Sequence, residues 1–150
     1  MTNIVVSAEV WRENVGGYDP DDPWSRDSTV GGVSGATART LRDGEDESSY
    51  FYGEAWQGDL DAKRGDMVYA VIVGYTTGDT FGTDGGNAEV VDVFADADRE
   101  KAYDLADAIE GFQKGSFGQF ESHGKEYYYN WSDYFGGLDS VHVYPIRVGR

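Results

Sequence analysis

Cysteine is absent from the 150 residues, which removes disulfides, thiolate metal sites and cysteine nucleophiles at one stroke. Histidine is almost as scarce. His123 and His142 are the only imidazoles, too few for an imidazole-rich zinc site. Basic side chains are few as well: 12 Lys and Arg stand against 28 Asp and Glu, a formal net charge of −16. A field of that sign repels nucleic acid and anionic membranes, so neither is expected as a direct partner. No apolar run approaches the roughly 20 residues that span a bilayer. The start, Met1-Thr2-Asn3-Ile4-Val5-Val6, lacks the basic region and long apolar stretch of a signal peptide. A soluble intracellular protein is the expectation.

What the chain does have is acid, aromatics and glycine. Aromatics make up 15% of the residues, including 11 Tyr and 4 Trp, which no disordered acidic tail would carry. At this length a single domain buries most of its apolar surface without staples. The excess of Asp and the scarcity of Lys point to a salt-loving source or a high-GC genome; in concentrated salt a Debye length of about 3 Å at 1 M screens self-repulsion. The competing explanation is an acidic face built for a basic partner.

Ile4, Val6, Ala8 and Val10 alternate, as on one face of a strand. From about 12 to 49, turn residues dominate (Asp19-Pro20-Asp21-Asp22-Pro23, Asp43-Gly44-Glu45) and predict long loops with at most one short element. Tyr50 to Trp56 reads as a short strand ended by Gln57-Gly58-Asp59. Met67 to Tyr75 is apolar on both faces, which predicts a central strand. Ala88 to Phe94 predicts a second, reached through a long Gly-rich hairpin loop from Thr77 to Gly86. A helix is expected from about 97 to 113, capped by Asp96 or Asp98 and ended by Gly111 or Gly115. Its Ala102, Leu105, Ala106, Ile109 and Phe112 recur at helical spacing and should face the sheet. A loop from Gly115 to Gly124 and strands at 127–131 and 141–148 complete one domain, 1–150. The expected fold is α+β: a mostly antiparallel sheet of about five strands with one main helix packed on a face.

Few motifs carry chemistry. The glycine-rich segment Gly78 to Asn87 has no Lys or Arg, and Asp79 and Asp84 would repel a phosphate. Oxygen ligands from Asp79, Asp84, Asn87 and Glu89 fit no EF-hand spacing. Gly32-Val33-Ser34-Gly35-Ala36 only approaches a nucleophile elbow and has no strand–turn–helix around it. Neither a cofactor, a metal nor an enzymatic activity is expected. Two surfaces remain as partner-binding candidates. Glu100, Asp104, Asp107 and Glu110 fall on one stripe of the helix, in steps of about 5–6 Å, like the charges of a nucleic-acid backbone. Around Tyr127 to Phe135, Tyr128 and Tyr134 are expected at the surface and Trp131 and Phe135 in the core.

The run Tyr75-x-x-Gly78-Asp79-Thr80-Phe81-Gly82, a strand, a capped helix and then Trp131-x-x-Tyr134-Phe135-x-x-Leu138-x-x-Val141 resembles small phage- and prophage-encoded proteins across about residues 66–148. That resemblance implies a viral or mobile-element origin and brings no catalytic residue with it. Together these features lead to the expectation of an accessory binding protein in the host cytoplasm. It would inhibit a host factor, such as a defence component, by docking an acidic, aromatic-rich surface on a basic protein site. Two other classes stand beside it: a structural virion component (decoration or tail-associated), and a small carboxylate-using hydrolase or carbohydrate binder.

Overall fold

The computed structural model describes residues 1–17, 20–22, 27–42, 54–79, 82–112, 118–129 and 137–149. Among them are eight strands and one α-helix: β1 (Thr2–Gly16), β2 (Asp27–Thr40), β3 (Ala55–Leu60), β4 (Met67–Asp79), β5 (Gly82–Ala95), α1 (Arg99–Phe112), β6 (Gly118–Ser122), β7 (Lys125–Tyr129) and β8 (Gly137–Gly149). Six strands form a mixed sheet in the order β3-β1-β2-β5-β4-β8, while β6 and β7 pair only with each other. Long antiparallel ladders join β1 to β2 and β3, and β4 to β5 and β8. The far edge of β2 is met in parallel twice, at its start by β5 and at its end by β8. The ladder therefore returns on itself, and its two halves, β3-β1-β2 and β5-β4-β8, face each other.

Alternation sorts the side chains into two cores. Val68, Ala70 and Ile72 of β4 meet Ile4, Val6, Ala38, Val90, Val93 and Val148 between the two halves. The intervening Val71 and Val73 face the other way, onto Ala102, Leu105, Ile109 and Tyr127. Thus β4 is apolar on both faces because both are covered, as expected of a central strand. The molecule has three layers: β3-β1-β2, then β5-β4-β8, then α1 beside the β6–β7 hairpin.

The coarse expectation of a largely antiparallel sheet with one helix on a face holds, and several boundaries change. Much of the stretch expected as loop, 12–49, is strand: β1 runs to Gly16 and β2 covers 27–40. Its short polar residues read as turn, but Val33, Ala36 and Ala38 point inward against the first core. The strand expected at Tyr50 to Trp56 is instead Ala55–Leu60, running through the expected stop at Gln57-Gly58-Asp59, because this stretch pairs with Thr2 to Ser7. Residues 50–53 lie outside the described residues.

The supposed long loop, Thr77 to Gly86, is also mostly strand, with Thr77 to Asp79 paired to Gly82 to Asp84. Glycine serves here for close passage. A Cβ on Gly31 would lie 2.7 Å from the Gly86 Cα, and Gly86 itself has φ +77° and lies under the Arg12 side chain. Arg12 donates from Nε to the Gly86 carbonyl at 3.1 Å and reaches Glu54 at 2.9 Å. Strand β6 likewise replaces part of the loop expected at 115–124.

The helix begins two residues late, after a 3₁₀ turn at Asp96–Asp98, and that turn has no side-chain cap. Asp96 instead accepts the Tyr69 hydroxyl at 2.9 Å, and the Asp98 carboxylate pairs with Lys101. Gly111 does not end the helix, which continues to Phe112. Ala102, Leu105 and Ile109 are fully buried, and Ala106 packs beside them. The Phe112 side chain and Gly115 are outside the described residues. No described helix is long and apolar enough to cross a membrane.

Candidate partner-binding surface

Burying Leu105 and Ile109 turns the opposite side of α1 outward, and all four stripe carboxylates, Glu100, Asp104, Asp107 and Glu110, are exposed. Neither Arg99 nor Lys101 of this helix neutralises them. Arg99 pairs back to Asp96 at 3.6 Å and Lys101 back to Asp98 at 3.4 Å, both toward the 3₁₀ turn. Glu110 occupies the last turn, which holds no basic residue. A carboxylate there faces the negative end of the helix dipole, a cost of about 0.3–1 kcal/mol that a lysine would avoid. Tyr103, 48% exposed, stands on the same helix and packs against Tyr69 at 6.5 Å between ring centroids.

The β6–β7 hairpin extends this surface. Its turn uses His123 (φ 50°) and Gly124 (φ 77°), the pair of positive φ values of a two-residue type I′ hairpin turn. The alternation of β7 sends Tyr127 inward and Tyr128 outward, so Tyr128 is 75% exposed. Glu121 sits directly opposite Glu126, and both are exposed. Like charges facing across a ladder disfavour the hairpin. Sequence reasoning missed this pair, because the register that opposes the two glutamates depends on where the turn falls.

The hairpin shares no ladder with the six-stranded sheet and is held by side chains. Tyr127 stacks on Phe120 at 5.4 Å and donates its hydroxyl to Asp92. Asp92 also accepts from Lys125 Nζ at 2.9 Å and from the Val93 N–H at 2.9 Å. It is the buried carboxylate of the second core, 5% exposed. A bulge places it there: Val71 opposes Asp92 and Ile72 opposes Val90, leaving Val91 as the extra residue. Without that insertion the carboxylate would point into the apolar space between the sheets. Burial, followed by the hydrogen bond to Asp92, pushes the Tyr127 phenol well above its ordinary range. A second attachment joins His123 Nε2 to Asp104 Oδ2 at 2.6 Å. One member of the acidic stripe is thus engaged in anchoring the hairpin, and Asp107 and Glu110 are better probes of the surface.

Five of the six expected residues, Glu100, Asp104, Asp107, Glu110 and Tyr128, are among the described residues, and all five are exposed. Tyr134, Trp131 and Phe135 lie outside the described residues. His142 is exposed on β8, edge-on to Tyr144. Asp84 and Asn87 stand on β5 rather than in a loop, Glu89 lies on β5 as expected, and the Asn87 amide donates to the Asp84 carbonyl at 2.7 Å. Among the described residues no group of three or more His, Asp and Glu is arranged to hold a metal ion. Ser34, the centre of the elbow-like run, is an exposed bulge residue in β2. Comparison with protein-family models, curated proteins and solved structures returns no match.

Proposed function

We propose that this protein is a phage- or virus-encoded accessory protein that works by binding. In the host cytoplasm it docks the outer side of α1 and β6–β7 on a basic protein site and blocks that site. The observation that carries the reading is the composition of this one side. Four helix carboxylates and a facing Glu121–Glu126 pair stand with Tyr103 and Tyr128, while Arg99 and Lys101 are turned away. Two of these placements, Glu110 at the helix end and the glutamates facing each other, lower stability. Retaining them is the pattern of a surface selected for a partner. Carboxylates speed association with a cationic groove, and exposed tyrosines supply contact area at little entropic cost.

The test uses the full chain as bait in host lysate, beside Asp107→Lys/Glu110→Lys and Tyr128→Ala variants. Wild type should capture a basic protein, the charge-reversed variant should bind it more than about tenfold more weakly, and added nucleic acid should compete. Equal capture by wild type and the charge-reversed variant would exclude α1 as the docking face.

A further inference from the structure

The opposite side of the molecule carries a second surface with different chemistry. On β1, Ala8 and Val10 point into the first core, so Glu9, Trp11 and Glu13 point away from it, about 6.7 Å apart in sequence order. Their partners across the ladder are Gly35, Gly32 and Val30. Two of those are glycines, and the third, Val30, is itself 42% exposed. The Trp11 indole lies over Gly32, its Nε1 3.2 Å from where a Cβ would stand, and a Glu9 carboxylate oxygen lies 3.4 Å from the same position on Gly35. A Cβ at 32 would crowd the ring, which would have to give by a few tenths of an ångström. With glycine there the ring rests on the backbone, 50% exposed.

Neither Glu9 nor Glu13 is paired with a described residue. Arg12, between Trp11 and Glu13, turns to the other side and is committed to the Gly86 carbonyl and Glu54. Arg39 stands opposite Val5, at the far end of the ladder. We infer that Trp11, with Glu9 and Glu13 on either side, is a receptor for an arginine side chain on a basic protein segment. A planar guanidinium stacks on the indole face and presents its N–H fork to the flanking carboxylates, a combination that a point-charge ammonium matches less well. Charge complementarity decides between this occupant and a neutral sugar, which would stack on Trp11 but leave both carboxylates without a counter-charge. This surface stands on its own, independent of the α1 surface.

The experiment is an NMR titration of the full chain that follows the Trp11 indole N–H, assigned by its loss in Trp11→Phe. The ligand is a short peptide of alternating arginine and glycine. It is repeated in the Asp107→Lys/Glu110→Lys background, so that α1 does not compete for the peptide. The arginine peptide should shift this signal saturably in both backgrounds, and its citrulline counterpart, equal in shape but uncharged, should not. Measured by calorimetry, which needs no indole signal, Trp11→Ala should weaken binding about fivefold, and Glu9→Gln/Glu13→Gln should weaken it and flatten its salt dependence. An unmoved Trp11 signal overturns the inference. So does an equal shift produced by the citrulline peptide or by a neutral oligosaccharide.

Discussion

At the scale of single residues, Asp92 and Tyr127 are the most consequential pair. A carboxylate buried in an apolar layer is tolerated only when its oxygens are satisfied, and here a phenol, an ammonium and a backbone N–H satisfy them. Tyr127→Phe should cost about 1–3 kcal/mol by removing one of those donors. In a double-mutant cycle with Asp92→Val, part of that loss should return, since an apolar pair leaves nothing unsatisfied. Denaturant unfolding of the four proteins measures the coupling. The same pair sets an alkaline limit. The Tyr127 phenol is raised from an ordinary 10.0 in the fold, so the unfolded chain loses that proton first. Stability from this group is therefore intact below pH 10 and falls as pH rises past it, with a slope of about 1.4 kcal/mol per pH unit. Tyr69, Tyr75 and Tyr144 are shifted the same way. Following unfolding and tyrosinate absorbance together should show the wild-type slope to be steeper than that of Tyr127→Phe; parallel slopes would mean that Tyr127 ionises freely.

The helix is the element whose sequence and structure agree best. Its apolar positions at Ala102, Leu105 and Ile109 are all fully buried, because a 3.6-residue period admits only one contiguous face. Ile109→Asp should unfold the protein or lower its stability by several kcal/mol, since the new carboxylate finds no partner among Val71, Val73 and Leu105. A melting temperature equal to wild type would mean that this face is not packed. The strands were harder to read. In β2, alanine and glycine fill the inward and crossing positions, and their small size looks like turn chemistry. In β5 the run Val90-Val91-Asp92-Val93-Phe94 gives no hint that Val91 is a bulge, since a one-residue insertion is visible only from the partner strand. The same ambiguity hid Asp92, although a lone carboxylate in an apolar strand is the kind of signal that could have marked it.

For the whole molecule the governing quantity is the net charge of −16. Self-repulsion at that charge destabilises the compact state, and salt screens it. The melting temperature should therefore rise from low salt to about molar KCl. Comparing chloride with sulfate at equal ionic strength separates screening from solvent-exclusion effects. A flat profile in chloride would show that the carboxylates are spaced too widely to repel, which would weaken salt adaptation as the reason for the composition.

The sequence by itself determined what depends on local period and on composition. These are the helix and its buried face, the central strand β4, the acidic stripe, the exposure of Tyr128, and the net charge of −16. Tertiary structure alone decided what depends on register. It turned the glycine-rich stretches into strands, because β1, β2 and β5 approach one another through Gly31 and Gly86. It set Glu121 against Glu126, tied His123 to Asp104, brought Tyr127 onto Asp92 and laid Trp11 on Gly32 between two carboxylates. Each of these pairs elements whose spacing in sequence carries no periodic signal. A ladder shifted by one residue reverses which face every side chain occupies, so only the assembled sheet could fix them.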